Sequence, residues 1–266
     1  VKTNRLISYL RPGRWPSVWC PGCGNGIVLR AFLEAVDALS LPKEKVAVVS
    51  GIGCSSRATG YLDFNTLHTL HGRAIAFATG VKLAKPDFEV VVMGGDGDIV
   101  SIGGNHFIHA CRRNIDITVI VFNNMIYGMT GGQVSSTTPI YHQTSTTPMG
   151  SFVEPLDVVE LALSAGATFV ARSTVYHYDH LVEILKRALK HRGISVVDVL
   201  TNCHTYFGRY NGMPEPYQMM EYFKNNTCFL ERPQEGKIKI GVFRDEEKED
   251  FLTVYRRLTR REGAME

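Results

Sequence analysis

Apolar residues follow two alternating rhythms along this chain. Leu29, Phe32, Leu33, Val36 and Leu39 recur at the three- and four-residue spacing of a helix with one buried face, which predicts a helix over Ile27–Leu39. Val46–Ser50 is then a short, nearly continuous apolar run that stops at the glycine turn Gly51-Ile52-Gly53. The alternation repeats downstream. His71–Lys85 reads as a helix closed by Pro86, Glu89–Met93 as a strand ending in Gly94-Gly95, and Ser101–Arg113 as a helix. Ile117–Phe122 reads as a strand ending in Asn123-Asn124; Thr168–Ala171, a helix over Asp179–His191 and the run Ser195–Leu200 complete the series. The first twenty residues, broken by Pro12, Gly13 and Pro16, read as an irregular arm.

Continuous Val/Ile runs separated by helices mark a mostly parallel sheet with helices on both faces, so the expected fold class is α/β. Ligands of such sheets lie beyond the carboxyl ends of the strands. The conspicuous polar segments Gly51–Ser56, Gly94–Asp98, Asn123–Gly132 and Asn202–Tyr206 all follow predicted strands. That coincidence points to a cofactor-binding protein. After about Pro214 the character changes, and Glu, Lys and Arg dominate Asp245–Glu266. The expected division is therefore a ligand-binding domain over 1–213 and a partner-contacting C-terminal extension over 214–266.

Composition narrows the classes. With 266 residues, 44% hydrophobic and 21% charged, the chain is long enough for a core of its own and has the balance of a globular protein. A net charge of +3 with no basic block argues against nucleic acid as a partner. No run approaches the ~18 apolar residues of a membrane span. Val1-Lys2-Thr3-Asn4-Arg5 lacks the apolar stretch of a secretory signal, so a cytoplasmic location is expected. The six cysteines are then left to explain.

Gly94-Gly95-Asp96-Gly97-Asp98 lies between a strand and a helix, the setting of a phosphate loop. A dinucleotide fingerprint fails, because Val100 and Ser56 stand where the third glycine belongs. No lysine follows the glycines as a P-loop requires, and an EF-hand reading breaks at Val100. What remains is the carboxylate of Asp96, flanked by glycines that let a ligand approach the backbone. Magnesium prefers hard oxygen ligands together with the oxygens of a bound phosphate group. Asp96, the side-chain amide of Asn124 and the carbonyl of Ile126 form such a set. Taken singly, these segments read equally well as a tight turn and an Asn-rich loop. Together, Gly95-Asp96-Gly97 … Asn123-Asn124 resembles the thiamine diphosphate-binding motif. The resemblance implies that magnesium anchors the diphosphate through Asp96, Asn124 and Ile126, with the amides of Gly97 and Asp98 meeting the diphosphate at a helix N-terminus.

Cys20-Pro21-Gly22-Cys23 brings two thiols within reach of one metal centre, and Cys54 and Cys203 each follow a predicted strand. A thioredoxin-like pair leaves the latter two idle. A structural zinc site usually brings a second close pair, and a [4Fe–4S] cluster accepts scattered thiolates; spacing alone leaves both open. Cys111 and Cys228 read as small buried hydrophobes.

Five segments in order, Cys20–Gly24, Gly51–Ser56, Thr69–Arg73, Gly95–Asp98 and Asn123–Gln133, are together similar to the β subunits of 2-oxoacid:ferredoxin oxidoreductases. The resemblance runs from about Trp15 to Tyr206; no motif after Tyr206 matches. It implies the thiamine diphosphate-binding fold and one [4Fe–4S] cluster on Cys20, Cys23, Cys54 and Cys203. It also implies cofactor contacts from Ile52, Gly53, Cys54, Ser55, His71, Gly97, Asp98, Gly128 and Met129. The implied reaction converts a 2-oxoacid and coenzyme A to an acyl-CoA, releases carbon dioxide and reduces ferredoxin, with reverse operation as a carboxylase open. An α subunit would supply the pyrimidine-binding domain and the activating glutamate, in an (αβ)2 assembly. The chain alone is then expected to be inactive. No catalytic residue is assigned, and His71 is given no acid–base role. Arg57, directly after Cys54-Ser55-Ser56, is a candidate partner for a second substrate carboxylate, which favours 2-oxoglutarate over pyruvate. Met129 and Gln133 are candidates to shape the same pocket. The rivals are another 2-oxoacid as substrate, a non-oxidative thiamine-dependent subunit with structural zinc, and a non-catalytic metal-binding module.

Overall fold

The structure, a computed structural model, describes the backbone of residues 2–262 and the side chains of residues 5–259. The extreme N-terminus and the end of the charged C-terminal segment therefore lie outside the described residues. One eight-stranded sheet organises the chain, in the order β2-β1-β3-β4-β8-β7-β10-β9. Its members are β1 (Val46–Ser50), β2 (Asn65–His68), β3 (Glu89–Gly95), β4 (Thr118–Asn123), β7 (Phe169–Thr174), β8 (Ser195–Leu200), β9 (Thr227–Phe229) and β10 (Ile238–Asp245). Every pairing is parallel except β10 against β7. β1, β4, β7 and β8 are buried along their whole length, which is why they read as unbroken apolar runs. β5 (Ile126–Tyr127) and β6 (Gln133–Val134) form a separate two-stranded ribbon.

Helices cover both faces. On one, α2 (Asn25–Ala38), α3 (Ala58–Tyr61) and α7 (Tyr178–Lys190) bury Phe32, Leu33, Leu181 and Leu185 against Val48, Ile120 and Val197. On the other, α4 (Ala74–Ala84), α5 (Gly104–Arg113) and α6 (Val158–Ser164) bury Ile75, Phe107 and Val159 against Val49, Val92 and Val196. The alternation of strand side chains sends neighbouring valines to opposite cores. No helix among the described residues is long and apolar enough to cross a membrane.

Three expectations are corrected. The N-terminal arm opens with α1 (Lys2–Ile7), and Leu10 bridges Leu62, so only the stretch after Leu10 is irregular. The helix read from His71 begins at Ala74, and the one read from about Ser101 to Arg113 begins at Gly104, after a wide helical turn over Gly97–Ile102. The C-terminal extension is built into the sheet: α8 (Pro216–Asn226) buries Met219 and Phe223, and β10 pairs with β7. The physical reason is that Ile238 and Ile240 alternate with Lys239, the pattern of a half-buried strand that overall charge conceals. Only α9 (Phe251–Glu262) carries the charged character to the end.

The chain runs from β1 outward to β2, then crosses back to lay β3 on the other side of β1. The loops after β1 and β3 thus diverge and leave a crevice between them, the usual ligand position in such sheets.

Candidate functional site

The loops after β1, β3 and β4 enclose one cavity. It is lined by all the residues picked out for the diphosphate and its metal: Ile52–Ser55, His71, Asp96–Asp98, Asn124, Ile126, Gly128 and Met129. Asp96 is 1% exposed. Its carboxylate accepts hydrogen bonds from the Ser135 hydroxyl, from Thr137 Oγ1 at 2.6 Å and from the Asn124 amide at 3.4 Å. Burial nevertheless pushes this carboxyl up to about 6, the hydrogen bonds only partly opposing it. Such a group gains from a cation beside it. The side-chain Oδ1 of Asn124 meanwhile accepts from the Ile126 amide at 3.2 Å, which holds the segment carrying the two remaining oxygen donors together.

Asp98 acts as a clamp rather than only offering its backbone. Its Oδ1 accepts from the amides of Gly72 at 2.8 Å and Ile52 at 3.2 Å and pairs with His71 Nδ1 at 2.6 Å. Oδ2 is buried without a partner. One carboxylate thus ties together the loop after β1, the turn before α4 and the start of the Gly97–Ile102 turn. The glycines also leave room for the protein's own side chains. A Cβ on Gly97 would lie 2.4 Å from the Tyr127 ring, and one on Gly51 would lie 2.1 Å from Asp98 Oδ2. They admit the protein's own side chains against the backbone.

The four candidate cluster cysteines line a second, adjoining cavity with Trp19, Asn25 and Tyr206. A Cβ placed on Gly128 would meet Cys203 Sγ at 3.5 Å and Cys54 Sγ at 3.8 Å. The Cys20–Cys23 turn is fastened to the loop after β8 by Asn202 Nδ2, which donates to the Gly22 carbonyl at 2.9 Å. The indole of Trp19 donates to the Cys54 carbonyl at 2.7 Å. All four thiols are free. Burial pushes the Cys23 thiol up to about 12 and the Cys54 thiol to about 11, and raises that of Cys203; the neighbouring sulfurs add to each shift. Buried thiols that repel one another as anions are a donor set that positive metal centres would stabilise. Among the described residues, no three His, Cys, Asp or Glu side chains are placed to hold a metal ion. The four thiols line one cavity, and which metal centre they would hold is not decided by their placement. Asn25, 1% exposed, lines this cavity with both side-chain polar atoms unpartnered.

The two cavities share Cys54, Asn124, Gly128 and Met129. Cys111 and Cys228 lie elsewhere, buried in α5 and β9. Arg57 lines the cysteine cavity but not the diphosphate cavity. Gln133 is taken up locally, its Nε2 donating to the Thr130 carbonyl at 2.8 Å. Sequence reasoning missed Ser135, Thr137 and the clamp made by the Asp98 side chain. The Ser/Thr-rich stretch 135–147 was the available signal, because hydroxyls are what a buried carboxylate needs around it.

Comparison with known proteins gives a consistent answer. Residues 51–199 match the family described as "Thiamine pyrophosphate enzyme, C-terminal TPP binding domain". The chain is 49% identical over 253 residues to the 2-oxoglutarate synthase subunit KorB of Methanocaldococcus jannaschii, covering 92% of this chain and 94% of that one. It is 50% identical over 246 residues to the same-named subunit of Archaeoglobus fulgidus, covering 91% and 90%. A solved structure, the 2-oxoglutarate:ferredoxin oxidoreductase of Magnetococcus marinus with 2-oxoglutarate, coenzyme A and succinyl-CoA bound, superposes with a TM-score of 0.88 at 32% identity. That match covers 97% of this chain and 90% of the other. The chain belongs to the β-subunit family of the 2-oxoacid:ferredoxin oxidoreductases.

Proposed function

We propose that the chain is the thiamine- and cluster-holding subunit of an enzyme that converts 2-oxoglutarate and coenzyme A to succinyl-CoA and carbon dioxide, with reduction of ferredoxin. The observation that carries this reading is the wall common to the Asp96 cavity and the four-cysteine cavity, made by Cys54, Asn124, Gly128 and Met129. Thiamine diphosphate, when bound, supplies the electron sink that lets a 2-oxoacid lose carbon dioxide. Asp96, the Asn124 side chain and the Ile126 carbonyl would hold magnesium beside the diphosphate, and the amides of Gly97 and Asp98 would be available to its oxygens. Ile52, Gly53, Ser55, His71, Gly128 and Met129 position the rest of the cofactor. Cys20, Cys23, Cys54 and Cys203 hold a [4Fe–4S] cluster. Since Cys54 lines both cavities, a cluster held there would lie beside the cofactor and would supply one-electron chemistry to it. Arg57, exposed at the rim of the cysteine cavity, offers its guanidinium to the distal carboxylate of 2-oxoglutarate.

The partner is an α subunit that brings the pyrimidine-binding domain and an activating glutamate, in a cytoplasmic (αβ)2 complex. The part of this chain after residue 213 offers it a contact surface. The test is the co-purified complex assayed with coenzyme A, ferredoxin and a series of 2-oxoacids, beside iron and acid-labile sulfide analysis. Expected are a preference for 2-oxoglutarate, iron and sulfide in equal amounts, and no activity from this chain alone. Zinc in place of iron would overturn the oxidoreductase reading, and a preference for pyruvate would overturn the substrate. Arg57→Ala should raise the KM for 2-oxoglutarate by about tenfold or more, the worth of a lost charge-assisted hydrogen bond, and leave pyruvate turnover unaffected.

A further inference from the structure

Among the described residues, Asn25 is the one amide side chain with both polar atoms buried and unpartnered. It is 1% exposed and lines the four-cysteine cavity. Its place in the chain adds to its polarity. Asn25 opens α2 two residues after Cys23, and no side chain caps that helix. A helix directs its first amides back along its axis, so these donors and the positive end of the dipole point toward the cysteine turn. The backbone amide of Asn25 donates toward the Cys23 sulfur, and those of Tyr206 and Phe207 donate toward that of Cys203.

Three neighbours share the unmet capacity of Asn25 but not its position. Thr201 and Asn202 carry unpartnered oxygens packed against Gly24, where a Cβ would meet them at 2.2 and 2.5 Å. His204 lines the cavity but is only half-buried, whereas Asn25 is shut off from water. An apolar side chain in its place would join the buried face made by Val28 and Leu29, without the cost of an unpaired amide.

We propose that Asn25 donates its side-chain amide to a sulfur of the cluster held by the four cysteines and so makes that cluster easier to reduce. The proposal rests on the proposed function, in which Cys20, Cys23, Cys54 and Cys203 hold a [4Fe–4S] cluster. In that reaction the cluster takes one electron at a time from the decarboxylated substrate and passes it to ferredoxin. The electron arrives without a proton, so the cluster with its thiolates gains a full negative charge among buried groups. Hydrogen bonds to the sulfurs stabilise that charge and thereby set the potential. Arg57 lines the same cavity, but it is exposed and water screens its charge. Asn25 acts inside the protein, where the low local dielectric strengthens a hydrogen bond to a charged sulfur.

The experiment is a spectroscopic redox titration of the αβ complex, for the wild type, Asn25→Leu, Asn25→Asp and Asn25→Gln, with iron and sulfide measured in each. Asn25→Leu keeps the volume and loses the donor. It should hold the iron of the wild type, and its reduced fraction at a fixed potential should fall about tenfold, or about 59 mV for a one-electron couple. Asn25→Asp should fall at least as far, and Asn25→Gln, which keeps the amide, should recover part of the loss. A purely structural role would move the melting temperature and leave the potential where it is. A filled cluster in Asn25→Leu with an unchanged or raised potential therefore overturns the proposal. A second measurement starts from the wild type, labelled with the heavy nitrogen isotope in its asparagine side chains. Electron paramagnetic resonance of the reduced cluster should show hyperfine coupling to the label. No coupling in the wild type, or coupling that persists in Asn25→Gln, overturns the proposal even if Asn25→Leu loses its iron. If the wild-type complex holds zinc, or no iron, it is the proposed function that fails instead.

Discussion

The two ends of the sheet treat buried polarity in opposite ways. At the amino ends of β4, β7 and β8 lies a cavity of about 950 Å³, lined by Lys82, Asp116, Arg187, His191, Asp245 and other charged groups. These groups satisfy one another. Lys82, 3% exposed, reaches Asp116 at 2.6 Å and the Phe88 carbonyl at 2.9 Å, and Arg187 meets Asp245 at 2.7 Å. At the carboxyl ends the spaces are smaller, yet among the described residues nearly all the unpartnered buried side-chain atoms gather there. Asn25, Ser56, Asp98, Asn123, Thr201, Asn202 and His204 are among them, while His109 and Tyr178 are the exceptions. Buried polar groups without partners are costly, so their gathering at one end suits a site that a ligand completes. Volume and unmet hydrogen-bonding capacity thus point to opposite ends of the sheet, and the second coincides with the proposed site.

That contrast sets the order of the expected effects. Cys54→Ser or Cys203→Ser should remove the visible absorbance and the iron of the purified complex and abolish ferredoxin reduction; a variant that keeps its iron would break the assignment of the cysteine cavity. Asp96→Asn should cut activity by about 100-fold or more, the upper range for loss of a group supporting a metal. It should also remove the rise in melting temperature that thiamine diphosphate with magnesium gives the wild type, about 2.7 kcal/mol at 100 times Kd. Changes at the other end should act on stability alone. Lys82→Met leaves Asp116 short of its buried partner and should cost about 3 kcal/mol in denaturant unfolding, with turnover per folded complex within about twofold. A large loss of turnover there would erase the distinction between the ends.

The smallest effect is a pH dependence. Burial, opposed by the charge of Lys82, pushes the Glu89 carboxyl up from 4.5 to about 7. Its folded value lies above its unfolded one. The stability it contributes is thus complete below about pH 4.5 and is lost as the pH rises toward 7. Glu89→Gln escapes that loss and should gain about 2.5 kcal/mol on the wild type between pH 5 and pH 8, measured by chemical unfolding at both.

Much of this was legible in the residues. Val46–Ser50 and Ser195–Leu200 form strands with the ends read from sequence, because strands buried on both faces must be apolar throughout. β2 was not legible, since Asn65–His68 is a short, largely exposed edge strand with no apolar repeat. α6 was passed over although Asp157 caps it, accepting from the amides of Val159 and Glu160 at 2.8 and 3.1 Å. A seven-residue helix gives the helical period too little length to register. At the site, the donors were legible and their supports were not. Ser135 and Thr137 are some forty residues from Asp96 in sequence, and only the chain's return past β5 and β6 brings them to it.

By itself, the sequence determined the inventory: which runs become buried strands, and which thiols, carboxylates and amides stand where strands end. Local spacing dictates these, because strand and helix periods are properties of neighbouring residues. The tertiary structure decided the rest. It placed Cys20, Cys23, Cys54 and Cys203 around one space, made the Asp98 side chain a clamp, and set the buried amide of Asn25 against that same space. Those outcomes depend on strand order, and strand order is fixed by packing between residues far apart in the chain.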